Sequence, residues 1–151
     1  MTEPRHTQFH IDRDVAASRA HVFRFFSELE LKVRWNDCHT DWQLLEEAFD
    51  FRVGGGEVRR WRTPDGEELT FHSHYLDIVP GERIIYAYQM TFGGERLSAS
   101  MVTLTFTGEG RVTRIRFLEQ AAMLTGGDQA IDQRIHGTGE GLDRLVEMAG
   151  E

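Results

Sequence analysis

The spacing of apolar residues along the chain changes period twice. In "TQFHIDRDV" Phe9 and Ile11 alternate with polar neighbours, which predicts a first strand. Over "AASRAHVFRFFSELELKVRW" the interval lengthens, so that Val22, Phe23, Phe26 and Leu29 recur at helical spacing and Ser18 stands where an N-cap belongs. A helix is therefore expected from about Arg19 to Leu29, followed by a second short helix or turn ending near Trp35. From Trp42 to about Ala122 six apolar runs alternate again: "WQLLEEAFDF", "EVRRWR", "LTFHSHYLDI", "RIIYAYQMTF", "LSASMVTLTFT" and "VTRIRFLEQAA". After "TGG" at Thr125 to Gly127 the helical period returns. Asp128 is the expected N-cap there, and Ile131, Ile135, Leu142, Leu145 and Val146 form one stripe.

The six runs are separated by short turn sequences, "TPDG", "PGE", "GGE" and "GEG", and short turns join antiparallel neighbours. The closing helix, taken from Gln129 to Ala149, would be roughly 30 Å long at 1.5 Å per residue, enough to cross the sheet. The order strand, two short helices, six strands, long helix is an α+β design with helices on one face of a curved antiparallel sheet. A sheet curved around one helix leaves space between them, and such spaces take small ligands.

Within a strand, residues two apart share a face, so the register indicates what looks into that space. Ser98, Ser100, Val102, Leu104 and Phe106 should point inward, opposite Thr103, Thr105 and Thr107. Ile84, Tyr86, Tyr88 and Met90 form the bulkier face of their run. Ile115, Phe117 and Glu119 oppose Arg114 and Arg116. Glu119 is then a carboxylate aimed into an apolar space, where it must be paired, hydrogen-bonded or shifted in pKa. Pairing with Arg134 on the closing helix, or a place near a cavity mouth, is the structural account; work as a general acid or base is the catalytic one. Gly137, Gly139 and Gly141 each weaken that helix by up to ~1 kcal/mol relative to alanine. Since the stripe passes through Thr138 and Gly139 between Ile135 and Leu142, either the helix approaches the strands closely or room is left for a ligand.

Composition narrows the partners. The 151 residues suit one domain, spanning 1–151, and the 40% hydrophobic and 28% charged content is that of a globular chain. A net charge of -8 repels phosphate backbones, so nucleic acid is not an expected partner. A single cysteine, Cys38, rules out an internal disulfide and fits a cytoplasmic location. The start of the chain lacks the pattern of a signal peptide, and no window resembles a membrane span.

Other motifs carry little chemistry. His72 and His74 share a strand face, but two imidazoles need a further ligand, so no metal site is expected. Cys38 and His39 are adjacent, which is not an ion-pair geometry, and no GxSxG elbow occurs. "GTGEGL" lies inside a helix and is not a dinucleotide fingerprint, so no cofactor is expected. Gly54 to Gly56 in "FDFRVGGGEVRR" precede a strand rather than a helix N-terminus and are expected to form a strand-to-strand turn, not a phosphate loop.

Taken together, "FHIDRDVAASRAHVFRFF", Trp35, "FDFRVGGG", "YLDIVPGERIIY", "RLSASMVTLTF", "TRIRFLEQ" and "LDRL" resemble the family of proteins similar to the activator of Hsp90 ATPase, in the START-like (SRPBCC, Bet v 1-like, helix-grip) superfamily. The likeness runs from about Phe9 to Leu145. It implies a seven-stranded sheet wrapped around the C-terminal helix, with a largely apolar pocket between them. It also implies binding of lipids or other hydrophobic molecules, cyclisation of bound substrates in some members, and a co-chaperone role in the eukaryotic namesake.

Three functions are therefore carried forward. The first is a binding protein for a small hydrophobic or amphipathic ligand, contacted by Trp35, Tyr86, Tyr88, Met90, Ser100, Val102, Phe117, Glu119, Ile135, Thr138, Gly139 and Leu142. The second is a cyclase- or hydratase-like enzyme using Glu119 with a tyrosine. The third is a chaperone-associated interaction module, and a homodimer is compatible with all three.

Overall fold

A computed structural model describes residues 3–151 of the chain. β1 (Arg5–Val15) leads into α1 (Arg19–Ser27) and α2 (Leu29–Asn36). Ser18 is the N-cap of α1: its backbone is extended and its hydroxyl accepts a hydrogen bond from the His21 amide. The first helix stops at Ser27 rather than Leu29. Glu28 is extended, at φ -112° and ψ 119°, and Leu29 opens α2, which turns Trp35 back under α1. There the Trp35 indole donates to the Phe25 carbonyl over 2.8 Å, so a buried polar tip finds its partner.

Six strands follow: β2 (Gln43–Phe49), β3 (Gly56–Arg62), β4 (Glu68–Val79), β5 (Arg83–Phe92), β6 (Glu95–Thr107) and β7 (Thr113–Met123). With β1 they form one antiparallel sheet in the order β1-β7-β6-β5-β4-β3-β2. The chain meanders from β2 to β7, and β1 pairs with the last strand of that meander. Register breaks at Leu44/Glu46, Tyr75/Asp77 and Met90/Thr91 put bulges in three of the ladders, and bulges increase local twist and bend. α3 (Gly127–Ala149) lies in the concave side, and the whole is a helix-grip α+β fold.

α3 does not start on Asp128. Its N-cap is Gly126, at φ 82°, and Asp128 sits in the first turn, ion-paired with Arg5. A left-handed residue is needed to swing the chain from β7 into the helix, and glycine accepts that conformation without penalty. The stripe is also uneven: Leu142 and Leu145 are buried, whereas Ile131, Ile135 and Val146 are only partly so.

The triple glycine joins β2 to β3 as a turn. Gly54 has φ 87°, and a Cβ on Gly56 would stand 2.1 Å from the Ser73 carbonyl oxygen, so β3 could not approach β4 there with any side chain. The Gly54 amide donates to the Tyr75 carbonyl and the Tyr75 amide to the Gly55 carbonyl, so these backbone groups serve the strand edge. On the outer face, Arg114 and Arg116 pair with Asp14 and Asp12 directly across the β1–β7 ladder.

Candidate functional site

Between the sheet and α3 lies a cavity of about 380 Å³. Aromatic side chains dominate its wall: every tryptophan and every tyrosine of the chain lines it, with Phe51, Phe71 and Phe117 among the phenylalanines. α3 contributes Arg134, Gly137, Thr138, Gly141 and Leu142, which recur at helical spacing and so share one face. A Cβ on Gly137 would meet nothing within 4 Å, and one on Gly141 would only touch Trp35 and Arg144 at ordinary distances. Gly137 thus faces open space, whereas Gly141 is buried against Trp35 and Arg144. Gly139 instead points at Ile11 and Arg13 of β1.

Because Gly137 is helical and unobstructed, Gly137→Ala is expected to stabilise the fold by up to ~1 kcal/mol. That corresponds to a Tm about 2–4 °C higher for a domain of this size. Thermal unfolding followed by circular dichroism checks it, and a lower Tm would contradict the open space.

Seven residues expected to contact a ligand line this cavity: Trp35, Tyr86, Tyr88, Met90, Phe117, Thr138 and Leu142. Ser100, Val102 and Glu119 point inward as the register requires, but they are buried behind the wall rather than on it. Ile135 and Gly139 are not on the wall either; the stripe curves away from the cavity at these two positions, Gly139 toward β1.

Glu119 has no exposed surface and forms the ion pair with Arg134. Its Oε2 accepts hydrogen bonds from Tyr88 Oη at 2.7 Å, Ser100 Oγ at 2.9 Å and Arg134 Nη1 at 3.0 Å. Arg134 also donates to Tyr88 Oη at 2.8 Å and to Ser98 Oγ at 2.8 Å. The cluster draws on β5, β6, β7 and α3, so it ties the closing helix to the middle of the sheet. Burial, reinforced by the Glu119 carboxylate, pushes the Tyr88 hydroxyl well above the ordinary phenol range, and burial does the same to Tyr86. Both tyrosines keep their protons and offer hydrogen-bond donors.

A second charged cluster, on α2 and β3, does not stand out in the sequence. Glu57, Arg59 and Trp61 occupy the inner face of β3. Glu57 Oε1 accepts from Lys32 Nζ at 2.5 Å, and Arg59 reaches Glu47 and Asp37 at 2.6 Å each while its guanidinium lies over the Trp61 ring. Burial opposes the charge on Lys32, but the Glu57 carboxylate and the Tyr75 hydroxyl together outweigh it and hold the ammonium above its usual range. Burial pushes the Asp37 carboxyl up despite the Arg59 guanidinium. The available signal is "EVRRWR" itself, in which Glu57 and Arg59 share a face with Trp61.

His72 and His74 stand on the exposed face of β4, away from the cavity, with ring centroids 4.7 Å apart. No third metal-ligand side chain joins them among the described residues. Cys38 is exposed at the cavity rim, beside His39, which stacks on Trp42 at 3.7 Å.

A family model described as Activator of Hsp90 ATPase homolog 1-like protein matches residues 16–150. The chain belongs to this family. No curated protein matches it. Among solved structures, an uncharacterized protein from Rhizobium leguminosarum is 40% identical, with a TM-score of 0.88 over 97% of this chain and 95% of that one. A protein from Rhizobium loti is 36% identical, also at TM-score 0.88, over 97% and 99%. A protein from Chromobacterium violaceum, at 21% identity, TM-score 0.78 and coverage of 95% and 97%, shares the fold. In this family member the START-like frame supports a ligand-binding role, and no helix among the described residues is long and apolar enough to cross a membrane.

Proposed function

We propose that this protein binds a small amphipathic molecule with a flat hydrophobic body in the cavity between the sheet and α3. One observation carries the proposal: all of the chain's tryptophan and tyrosine side chains converge on a 380 Å³ space faced by small residues of α3. That volume falls in the range of small-molecule sites, and aromatic faces suit planar or conjugated ligands. Gly137, which opposes helix stability and whose Cβ would meet nothing within 4 Å, supports a space kept open for occupancy.

N-Phenyl-1-naphthylamine, a neutral aromatic probe, is expected to bind saturably at one molecule per chain, quenching tryptophan fluorescence as its own emission rises. Native mass spectra of freshly purified protein are expected to show a bound species. Protein that binds no probe and carries no extra mass would overturn the proposal.

An enzyme built on Glu119 has one observation in its favour: Oε1 of that carboxylate has no hydrogen-bond partner among the described residues. Against it, Oε2 is occupied by three donors and Tyr88 stands between Glu119 and the cavity. The geometry favours Glu119 as the anchor of Arg134. The chaperone-associated role has only the family description behind it.

A further inference from the structure

Six charged side chains line the cavity: Lys32, Asp37, Glu57, Arg59, Arg134 and Arg144. Five of them are in ion pairs, Lys32 with Glu57, Arg59 with Asp37, and Arg134 with Glu119 behind the wall. Arg144 is the sixth. Its Nε donates to the Trp35 carbonyl at 2.8 Å, and it has no carboxylate partner among the described residues. The bond to Trp35 fixes the guanidinium beside the indole, and both groups flank Gly141, where a Cβ would lie 3.6 Å from Arg144 Nη2 and 3.8 Å from the Trp35 ring. Arg144 is thus an oriented, partly buried cation, the one lining charge without an ion-pair partner among the described residues.

We propose that the ligand itself supplies the missing counter-charge, and that the cavity selects aromatic or similarly flat organic acids whose carboxylate is received by Nη1 and Nη2 of Arg144. This rests on the cavity being the binding site and names the chemical class it takes. The two terminal nitrogens present parallel N–H groups, the geometry that a carboxylate matches with both oxygens. Along α3, Arg144 lies about 15 Å from Arg134, at 1.5 Å per residue. A carboxylate on Arg144 therefore leaves the body of the molecule free to run past Gly141, Thr138 and Gly137 toward the Tyr88 hydroxyl. Approach of an anion from solvent runs against the protein's net charge of -8, so the selectivity must come from this local contact.

The test compares pyrene-1-carboxylate with its neutral isostere pyrene-1-carboxamide, each titrated against the fluorescence of the three tryptophans. The carboxylate is expected to bind at least about tenfold more tightly, the scale of a charge-assisted contact. Arg144→Gln should remove that preference, so that the two compounds bind with affinities within about twofold of each other, and a circular dichroism spectrum like the parent's reports that the variant is folded. Arg144→Lys, which keeps the charge but not the fork, should retain part of the preference. Equal affinity of the parent for the two compounds, or a carboxylate preference that survives Arg144→Gln, would overturn the proposal. A separate variant, Gly137→Phe, keeps the two ideas apart. Loss of both compounds in Gly137→Phe with no carboxylate preference in the parent rejects only the acid selectivity, whereas unchanged binding of both rejects the cavity as the site.

Discussion

Arg134→Met is expected to destabilise the protein by about 3–5 kcal/mol, the cost of leaving a buried charge without its partner. Glu119 has no exposed surface, and Arg134 is the only cation within hydrogen-bond reach of it among the described residues. Removing the guanidinium also strips a donor from Tyr88 and from Ser98, both buried. Urea denaturation read by circular dichroism would show the midpoint fall, and a loss below about 1 kcal/mol would mean that the cluster does not anchor α3. The double variant Arg134→Met with Glu119→Gln discriminates cause from coincidence. It removes both charges together, and the carboxamide oxygen that replaces the carboxylate can still accept from Tyr88 and Ser100, so most of the lost stability should return. If the double variant is as unstable as Arg134→Met alone, the penalty comes from packing of the arginine stem instead.

The second large effect concerns occupancy. Gly137→Phe is expected to weaken binding of N-phenyl-1-naphthylamine by at least about tenfold, or to abolish it, while the protein remains folded. The fold should survive because the new Cβ enters open space and phenylalanine is a better helix residue than glycine. Binding should not survive, because the ring occupies volume the probe needs. Thr138→Phe, one residue further along the same wall, should act in the same direction. Intact affinity in both variants, with normal circular dichroism, would place the probe somewhere other than this cavity.

These two effects belong to features that differ in how far the sequence reveals them. Glu119 is visible as an inward carboxylate because Ile115 and Phe117 set one face of β7 and Arg114 and Arg116 the other. Its pairing with Arg134 is one option among several, since a helix can meet a sheet in many rotations. Gly137 is visible as an anomaly in a helix, but whether it meets backbone or empty space depends on where α3 lies over the sheet. Ser100 and Val102 illustrate the limit of face assignment. Alternation shows which side a residue takes, not whether other side chains cover it.

Element order, the antiparallel meander, the α+β class and the inner faces of β5, β6 and β7 are legible in the residues alone. These follow from period two and period 3.6, which express, residue by residue, the burial of apolar surface. The charged part of the site is set by how distant elements pack together. Lys32 meets Glu57 across 25 residues of chain and Arg144 meets Trp35 across 109. An inward Glu57 or Arg59 violates the apolar pattern of β3 and is tolerated only because a partner from another element offsets its desolvation. Such compensation depends on distances between elements that no local period encodes.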